Sequence, residues 1–207
     1  MDRGCLITFE GPDNVGKSTQ IERLSQWLAG RGERVLVARE PGGTELGEQI
    51  RALLLESPWE PLPVTEALLF AAARAELVGR VVRPALADGR IVILDRYVDS
   101  SVAYQGFGTG VGVEAVRAVN AVATGGLEPV VTLLLLGAAH EDPAGRRDRM
   151  ERRDGAFQAR VRAGYRRLAD ECSRIQIVEA DGAPEAVADR IRTIVEPYLA
   201  RKGDVRG

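Results

Sequence analysis

Lysine is nearly missing from this chain of 207 residues: 26 of its 28 basic residues are arginine, and the only lysines are Lys17 and Lys202. Histidine occurs once, at His140, and cysteine twice, at Cys5 and Cys172. So few imidazoles and thiols leave little from which to build a zinc site or a Ser-His-Asp triad, and the chemistry is expected to run on other groups. No long apolar run is present either. The longest, Val130 to Ala139 broken by Thr132, is about half of what a spanning helix needs, so no membrane partner is expected. Met1-Asp2-Arg3 followed by an apolar stretch ending at Glu10 does not fit a signal peptide. With two cysteines and no export signal, the expected location is the reducing cytoplasm. Acids number 30 against 28 bases, a net charge of −2, so no overall basic field exists for nucleic acid and none is expected as a partner. Any anion binding has to be local.

What is present is a regular alternation. Cys5 to Phe9 reads as a buried strand that stops at Glu10-Gly11-Pro12. Ile21, Leu24, Trp27 and Leu28 then recur at helical spacing, closed by Gly30 and Gly32. Val35 to Ala38 is a second strand, followed by a turn and a helix with Leu46, Ile50, Leu53 and Leu54 on one face. After a proline-broken stretch, Thr65 and Glu66 open a long apolar helix that Pro84 kinks or divides. Ile91 to Leu94 and Val130 to Leu136 are buried-type strands, with a helix over Val113 to Thr124 between them. Phe157, Val161, Tyr165 and Leu168 form one helical stripe, and the strand Ile175 to Val178 and a helix from Pro184 to about Leu199 complete the chain. Five such strands alternating with helices predict an α/β fold: a five-stranded parallel sheet with helices on both faces. One domain over 1–207 is expected, with its site beyond the carboxyl ends of the strands.

Gly11-Pro12-Asp13-Asn14-Val15-Gly16-Lys17-Ser18, followed by Thr19, matches G-x-x-x-x-G-K-[ST] between a strand and a helix. The spacing has a mechanical reason. Backbone N–H groups of the loop and helix start cradle phosphate oxygens, Lys17 spans the terminal phosphates, and the Ser18 hydroxyl can ligate Mg²⁺. A chance match competes with this reading. Yet a chain with two lysines places one on the motif position with odds of only about one in a hundred. A GTPase would use Asn-Lys-x-Asp for guanine, and neither lysine follows an asparagine; a transporter-type ATPase would carry Leu-Ser-Gly-Gly, which is absent. A small kinase remains.

Further motifs narrow the acceptor. Phe9-Glu10-Gly11-Pro12, Arg39-Glu40-Pro41-Gly42-Gly43-Thr44, Phe70-Ala71-Ala72-Ala73-Arg74 and Asp95-Arg96-Tyr97, the last followed by Asp99 to Gly106, resemble the bacterial thymidylate kinases in colinear order over most of the chain. The resemblance implies a P-loop NTPase fold, ATP as phosphoryl donor, Mg²⁺, dTMP as acceptor and a homodimer. It also implies that Arg74 and Gln105 read the pyrimidine edge with Ser101 assisting. Tyr104 would pack where a 2′-hydroxyl would sit, Asp13 would lie near the 3′-hydroxyl, and Glu40 and Arg51 would lie around the acceptor sugar and phosphate. Local chemistry leaves alternatives beside these roles. Asp95 can hold Mg²⁺ or cap a helix. Arg96 suits a bidentate grip on the acceptor phosphate. Phe70 shares a helix face with Arg74 and either stacks on a base or fills the core. Arg51 could be a solvated face, and the helices at 65–79 and 112–124 could supply a dimer face or be core.

Nine arginines against three acids between Arg146 and Arg167 give a local balance of +6. A solvated helix face would explain it, and no aromatic interleaving supports a nucleic-acid patch. The resemblance implies a short Arg-rich lid, about 138–155, because Asp148-Arg149-Met150-Glu151 is similar to the family's Asp-Arg-x-Glu. Arg149 is the first choice for meeting the transferred phosphoryl group, with Arg146 and Arg147 beside ATP. Position 14 is Asn where some members have Arg, and the strand before the lid ends in Gly137 where Asp or Asn is usual. His140 in this loop is expected to be exposed rather than catalytic. The reading is therefore transfer of the ATP γ-phosphoryl to dTMP. A kinase for another or modified pyrimidine monophosphate and a nucleotide-binding regulator that has lost transfer stand as alternatives.

Overall fold

A computed structural model describes residues 4–138, 149–150 and 152–203, with side chains through residue 199. Five strands, β1 (Cys5–Glu10), β2 (Val35–Arg39), β3 (Ile91–Asp95), β4 (Val131–Leu136) and β5 (Ile175–Glu179), form one all-parallel sheet in the order β2-β3-β1-β4-β5. The first strand lies in the middle. Its register pairs Phe9 with Asp95 and Glu10 with Leu134, and β2 pairs Arg39 with Asp95, so these residues share the carboxyl edge of the sheet.

Both faces of the central strands are buried, which explains why their sequences show unbroken apolar runs instead of alternation. Cys5, Ile7 and Phe9 of β1 pack with Ile93 and Leu133 against α1 (Lys17–Gly30). Leu6, Val92 and Leu94 face the other way, toward Leu77, Val82 and Leu86. Between β1 and β2 lies α1; α2 (Glu45–Leu55) and α3 (Pro63–Leu77) follow β2. Thr44 caps α2, its hydroxyl accepting from Gly47 N at 3.0 Å.

The expected break at Pro84 takes a particular form. The helix starts two residues earlier than expected, with Pro63 in its first turn, and runs through a π-helical turn, Val78–Val82, into α4 (Arg83–Ala87). A proline ring collides with the carbonyl four residues back, and the widened turn just before Pro84 gives that carbonyl room. After β3 comes helical structure without a strong periodic signal in the sequence: α5 (Val98–Ser101) continues as a π-helical turn over Val102–Gly108. Its glycines depress helix propensity, and tertiary packing overrides them. A Cβ on Gly108 would stand 2.7 Å from the Phe157 ring, so the turn lies directly against the helix carrying Phe157.

Next, α6 (Val113–Thr124) precedes β4, and α7 (Gly155–Glu171) precedes β5. Asp154, at the end of the charge-dense stretch, caps α7 by accepting from Phe157 N at 2.7 Å. The predicted stripe of Phe157, Val161, Tyr165 and Leu168 is buried, and α8 (Pro184–Gly203) completes the layer against α1. Among the described residues no helix is long and apolar enough to cross a membrane.

Candidate active site

The chain leaves β1 through Gly11 at φ 132°, where an added Cβ would sit 2.3 Å from the Leu135 carbonyl oxygen. Only glycine passes that point. Gly16, at φ 90°, caps α1 in the left-handed region, and no side chain bonds the cap. The first N–H groups of α1 are thus left for an anion. Lys17 is buried, with Nζ donating to Pro12 O at 2.7 Å and Gly11 O at 3.3 Å. Burial, reinforced by the Arg96 charge, pulls its ammonium down to about 8. Asp13, Asn14, Gly16, Lys17, Ser18 and Thr19 all line one cavity of about 590 Å³, while Val15 is in the core and Gly11 and Pro12 turn carbonyls to Lys17.

Ser18 and Asp95 meet in that cavity and in a second groove beside β2. Asp95 Oδ1 is buried without a hydrogen-bond partner, and such an oxygen with a hydroxyl on the same cavity wall suits a hard cation such as Mg²⁺. Among the described residues no three acidic, His or Cys groups cluster as a cage.

Arg96 occupies the middle of the site. Its backbone is left-handed at φ 69°, an uncommon conformation outside glycine that costs on the order of 1 kcal/mol. The strain aims the guanidinium back over the phosphate loop. It is paired with Asp13 and donates to Gly11 O at 3.0 Å, Ser100 Oγ at 3.1 Å and Tyr165 OH at 3.2 Å. Burial alone would raise Asp13, but Arg96 and Lys17 outweigh it and hold the carboxyl below its usual range. Tyr104 OH donates to Asp13 Oδ2 at 3.0 Å.

Beneath Arg96 lies Glu10, fully buried. Its Oε1 accepts from Tyr97 N at 2.8 Å and Ser100 N at 3.2 Å; its Oε2 takes Ser100 Oγ and Tyr165 OH. Burial, with Asp99 adding, pushes this carboxyl up to about 7. Glu10, Ser100 and Tyr165 were not candidates from the sequence. Glu10 did carry a signal, being an acid at the end of an apolar strand, whereas Tyr165 looked like one more residue of a core stripe.

The same cavity is lined by Glu40, Arg51, Phe70, Arg74, Ser101, Tyr104 and Gln105. Phe70 is partly buried and lines the cavity, so it is neither plain core nor free surface. Arg51 donates to Pro41 O at 3.0 Å, which makes it more than a solvated helix residue. Arg74 is 1% exposed. Its Nε lies 2.8 Å and its NH2 2.5 Å from Glu40 Oε2, NH2 also meets Tyr97 O at 3.0 Å, and NH1 meets Ser101 Oγ at 3.0 Å and Asn120 Oδ1. Its five N–H donors are therefore engaged. It can meet a pyrimidine only by exchanging one of them; Glu40 and Ser101 are the partners that also line the cavity, and Ser101 is the uncharged one. Burial raises the Glu40 carboxyl despite Arg74.

Arg149 lies away from the phosphate loop in this arrangement. Its NH2 lies 2.6 Å from Glu66 Oε2 and its Nε donates to Leu54 O at 2.7 Å, which holds the guanidinium beside α2 and α3 while NH1 has no hydrogen-bond partner. The reason is Glu66, fully buried and in need of cationic partners. Met150, next to it, lines the cavity instead. Arg146, Arg147, His140, Asp148 and Glu151 lie outside the described residues. At Gly137 a Cβ would lie 3.0 Å from Asp181 Oδ1, which accepts from Ala138 N at 3.0 Å. Asp181 thus brings a carboxylate to the strand end that lacks one of its own.

A family model, thymidylate kinase, matches residues 9–191. The thymidylate kinase of Exiguobacterium sibiricum is 42% identical over 206 residues, covering 96% of this chain and 97% of that protein. That of Chlorobium luteolum is 44% identical over 211 residues, covering 93% and 98%. Among solved structures, the crystal structure of thymidylate kinase from Ehrlichia chaffeensis superposes with a TM-score of 0.78 at 29% identity, covering 93% of this chain and 98% of that one. Sequence, fold and the joined halves of the cavity agree: the chain belongs to the thymidylate kinase family.

Proposed function

We propose that this chain phosphorylates dTMP to dTDP with the γ-phosphoryl of ATP and Mg²⁺, a step in dTTP biosynthesis. The observation that carries the reading is one cavity lined together by the phosphate loop, by Arg96 bonded to that loop, and by Phe70, Arg74 and Gln105. A monophosphate whose base lies on Phe70 would bring its phosphate to Arg96, and Arg51 flanks the sugar and phosphate. The γ-phosphoryl of a nucleotide seated on Gly16, Lys17, Ser18 and Thr19 would arrive from the opposite side.

The acceptor phosphate is already anionic, so no general base is needed; catalysis is positioning and charge. Lys17 leaves its carbonyl partners for the terminal phosphates, and a multiply charged ligand restores the full charge that burial has weakened. Arg96, fixed by Asp13, Ser100 and Tyr165, meets the acceptor and transferred phosphoryl oxygens in a geometry set before substrate arrives. Ser18 and Asp95 would hold Mg²⁺, which neutralises charge on the phosphates. Tyr104, buried and anchored on Asp13, fills the space beside the sugar and favours a 2′-deoxy acceptor. Arg146 and Arg147 are assigned to ATP, and Arg149 to the acceptor-base side.

We further propose a single domain with a short arginine-rich lid, working in the cytoplasm as a homodimer. Val64 and Leu68 on α3 and Val122 on α6, respectively 58%, 52% and 86% exposed, support a subunit face there. The test is ADP release with dTMP, dUMP, dCMP, UMP and no acceptor. Release that dTMP stimulates most supports the assignment, and release indifferent to dTMP overturns it.

A further inference from the structure

Gln105 lines the cavity and is 1% exposed, and its Nε2 donates to Glu66 Oε1 at 3.0 Å. Glu66 belongs to the first turn of α3 and is fully buried. Its other oxygen is gripped by Arg149 NH2 at 2.6 Å and Arg153 NH2 at 2.8 Å. Both arginines are themselves held, Arg149 by Leu54 O and Arg153 over the Phe157 ring at 4.7 Å. Of these four residues only Gln105 reaches the cavity wall.

A primary amide can present either end to a ligand, because a half-turn about its last bond exchanges oxygen and nitrogen. A carboxylate accepts only. Turning the Gln105 oxygen toward Glu66 would set two acceptors against each other in a buried place, at the expense of a buried hydrogen bond. The two guanidinium groups keep Glu66 from swinging away.

We infer that Glu66, clamped by Arg149 and Arg153, is a positioning residue that fixes the polarity of the Gln105 amide and thereby selects a pyrimidine-2,4-dione over a 4-aminopyrimidine. The inference rests on the acceptor assignment proposed above. A dione offers an N3–H donor between two carbonyls; a 4-aminopyrimidine offers an N3 acceptor beside an amino donor. A freely turning amide suits both. One whose nitrogen is tied to Glu66 through one N–H keeps its carbonyl oxygen, with the second N–H beside it, toward the base; with the ring held on Phe70 and Arg74 that oxygen matches the N3–H of the dione and opposes the N3 lone pair of the amino base. This also gives the Arg149 segment a role without contact with the reacting phosphates.

The experiment compares kcat/KM for dTMP and dCMP in the wild-type enzyme and in Glu66→Gln. A glutamine at 66 both donates and accepts, so it tolerates either orientation of Gln105. The preference for dTMP is expected to fall about tenfold or more, with the KM for ATP unchanged within about twofold. Loss of both acceptors by the same factor, or an unchanged preference, overturns the inference, because a merely structural Glu66 would act equally on both. In a Gln105→Met background, Glu66→Gln is expected to leave the preference where Gln105→Met alone puts it. If Glu66→Gln does not fold, or if wild-type enzyme proves inactive on dTMP and the proposed function falls, NMR of the wild-type chain still tests the bond between Gln105 and Glu66 that the inference requires. A coupling across the hydrogen bond from the Gln105 side-chain nitrogen to the Glu66 carboxyl carbon supports it, and absence of that coupling with both groups assigned overturns it.

Discussion

Arg74→Ala is first a stability variant and only second a binding variant. Removing the guanidinium strands the Glu40 carboxylate, whose side chain is 3% exposed, and frees Tyr97 O, Ser101 Oγ and Asn120 Oδ1 at once. Breaking a buried ion pair by deleting one partner costs about 3–5 kcal/mol. The lost acceptor contacts would each add about 1 kcal/mol or more if they stayed dry. Glu40 and Ser101 line the cavity, however, so water can reach them, and the lower end of the range, about 3 kcal/mol, is expected. Against a typical total of about 5–15 kcal/mol this leaves the chain folded but weakened, with Tm lower by roughly 6–12 °C. Urea unfolding at 25 °C measures it. Glu40→Gln alone should cost less, and the pair Glu40→Gln with Arg74→Ala should cost less than the sum of the two, with a coupling of about 2 kcal/mol. An Arg74→Ala loss under about 1 kcal/mol, or strict additivity in the cycle, would refute the view that this ion pair is dry and structural. The rise in dTMP requirement expected for Arg74→Ala then has to be measured well below the lowered Tm.

Two other outcomes follow from the geometry. Lys17→Ala should abolish phosphoryl transfer while urea unfolding stays near wild type; turnover within about tenfold, about 1.4 kcal/mol of barrier, removes Lys17 from its role. For Glu10, the folded chain keeps a proton up to about 7 that the unfolded chain releases near 4.5, so the associated stability is complete below pH 4.5 and is lost as pH rises to about 7. Relative to Glu10→Gln, which cannot titrate, wild-type stability should therefore drop by roughly 3 kcal/mol between pH 4.5 and 8 in urea titrations, and a flat difference would sink the assignment.

The phosphate loop was legible because its function needs a contiguous string. Gly11, Gly16, Lys17 and Ser18 are each dictated by local geometry, and the strand before and helix after supply the rest. The five strands were legible because burial on both faces leaves unbroken apolar runs, and their ends fell within a residue or so of Phe9, Ala38, Leu94, Leu136 and Val178. The segment 98–108 was not legible as helix, since its glycines serve packing against α7 rather than propensity.

Residues that act through partners distant in sequence left no local trace. Arg149 is the clearest case: a motif at 148–151 pointed to the reacting phosphates, while a buried acid 83 positions away, Glu66, claims its guanidinium. Glu66 itself looked like a helix opener and Tyr165 a member of an apolar stripe. By itself the sequence determined the sheet, the phosphate-binding loop, the family resemblance and most of the residues around the cavity, because each of these depends on short-range pattern and spacing. Only the tertiary structure decided which charges neutralise which. A buried carboxylate is satisfied by whichever cation the fold brings within about 3 Å, and that proximity is set by packing between elements that no periodicity encodes.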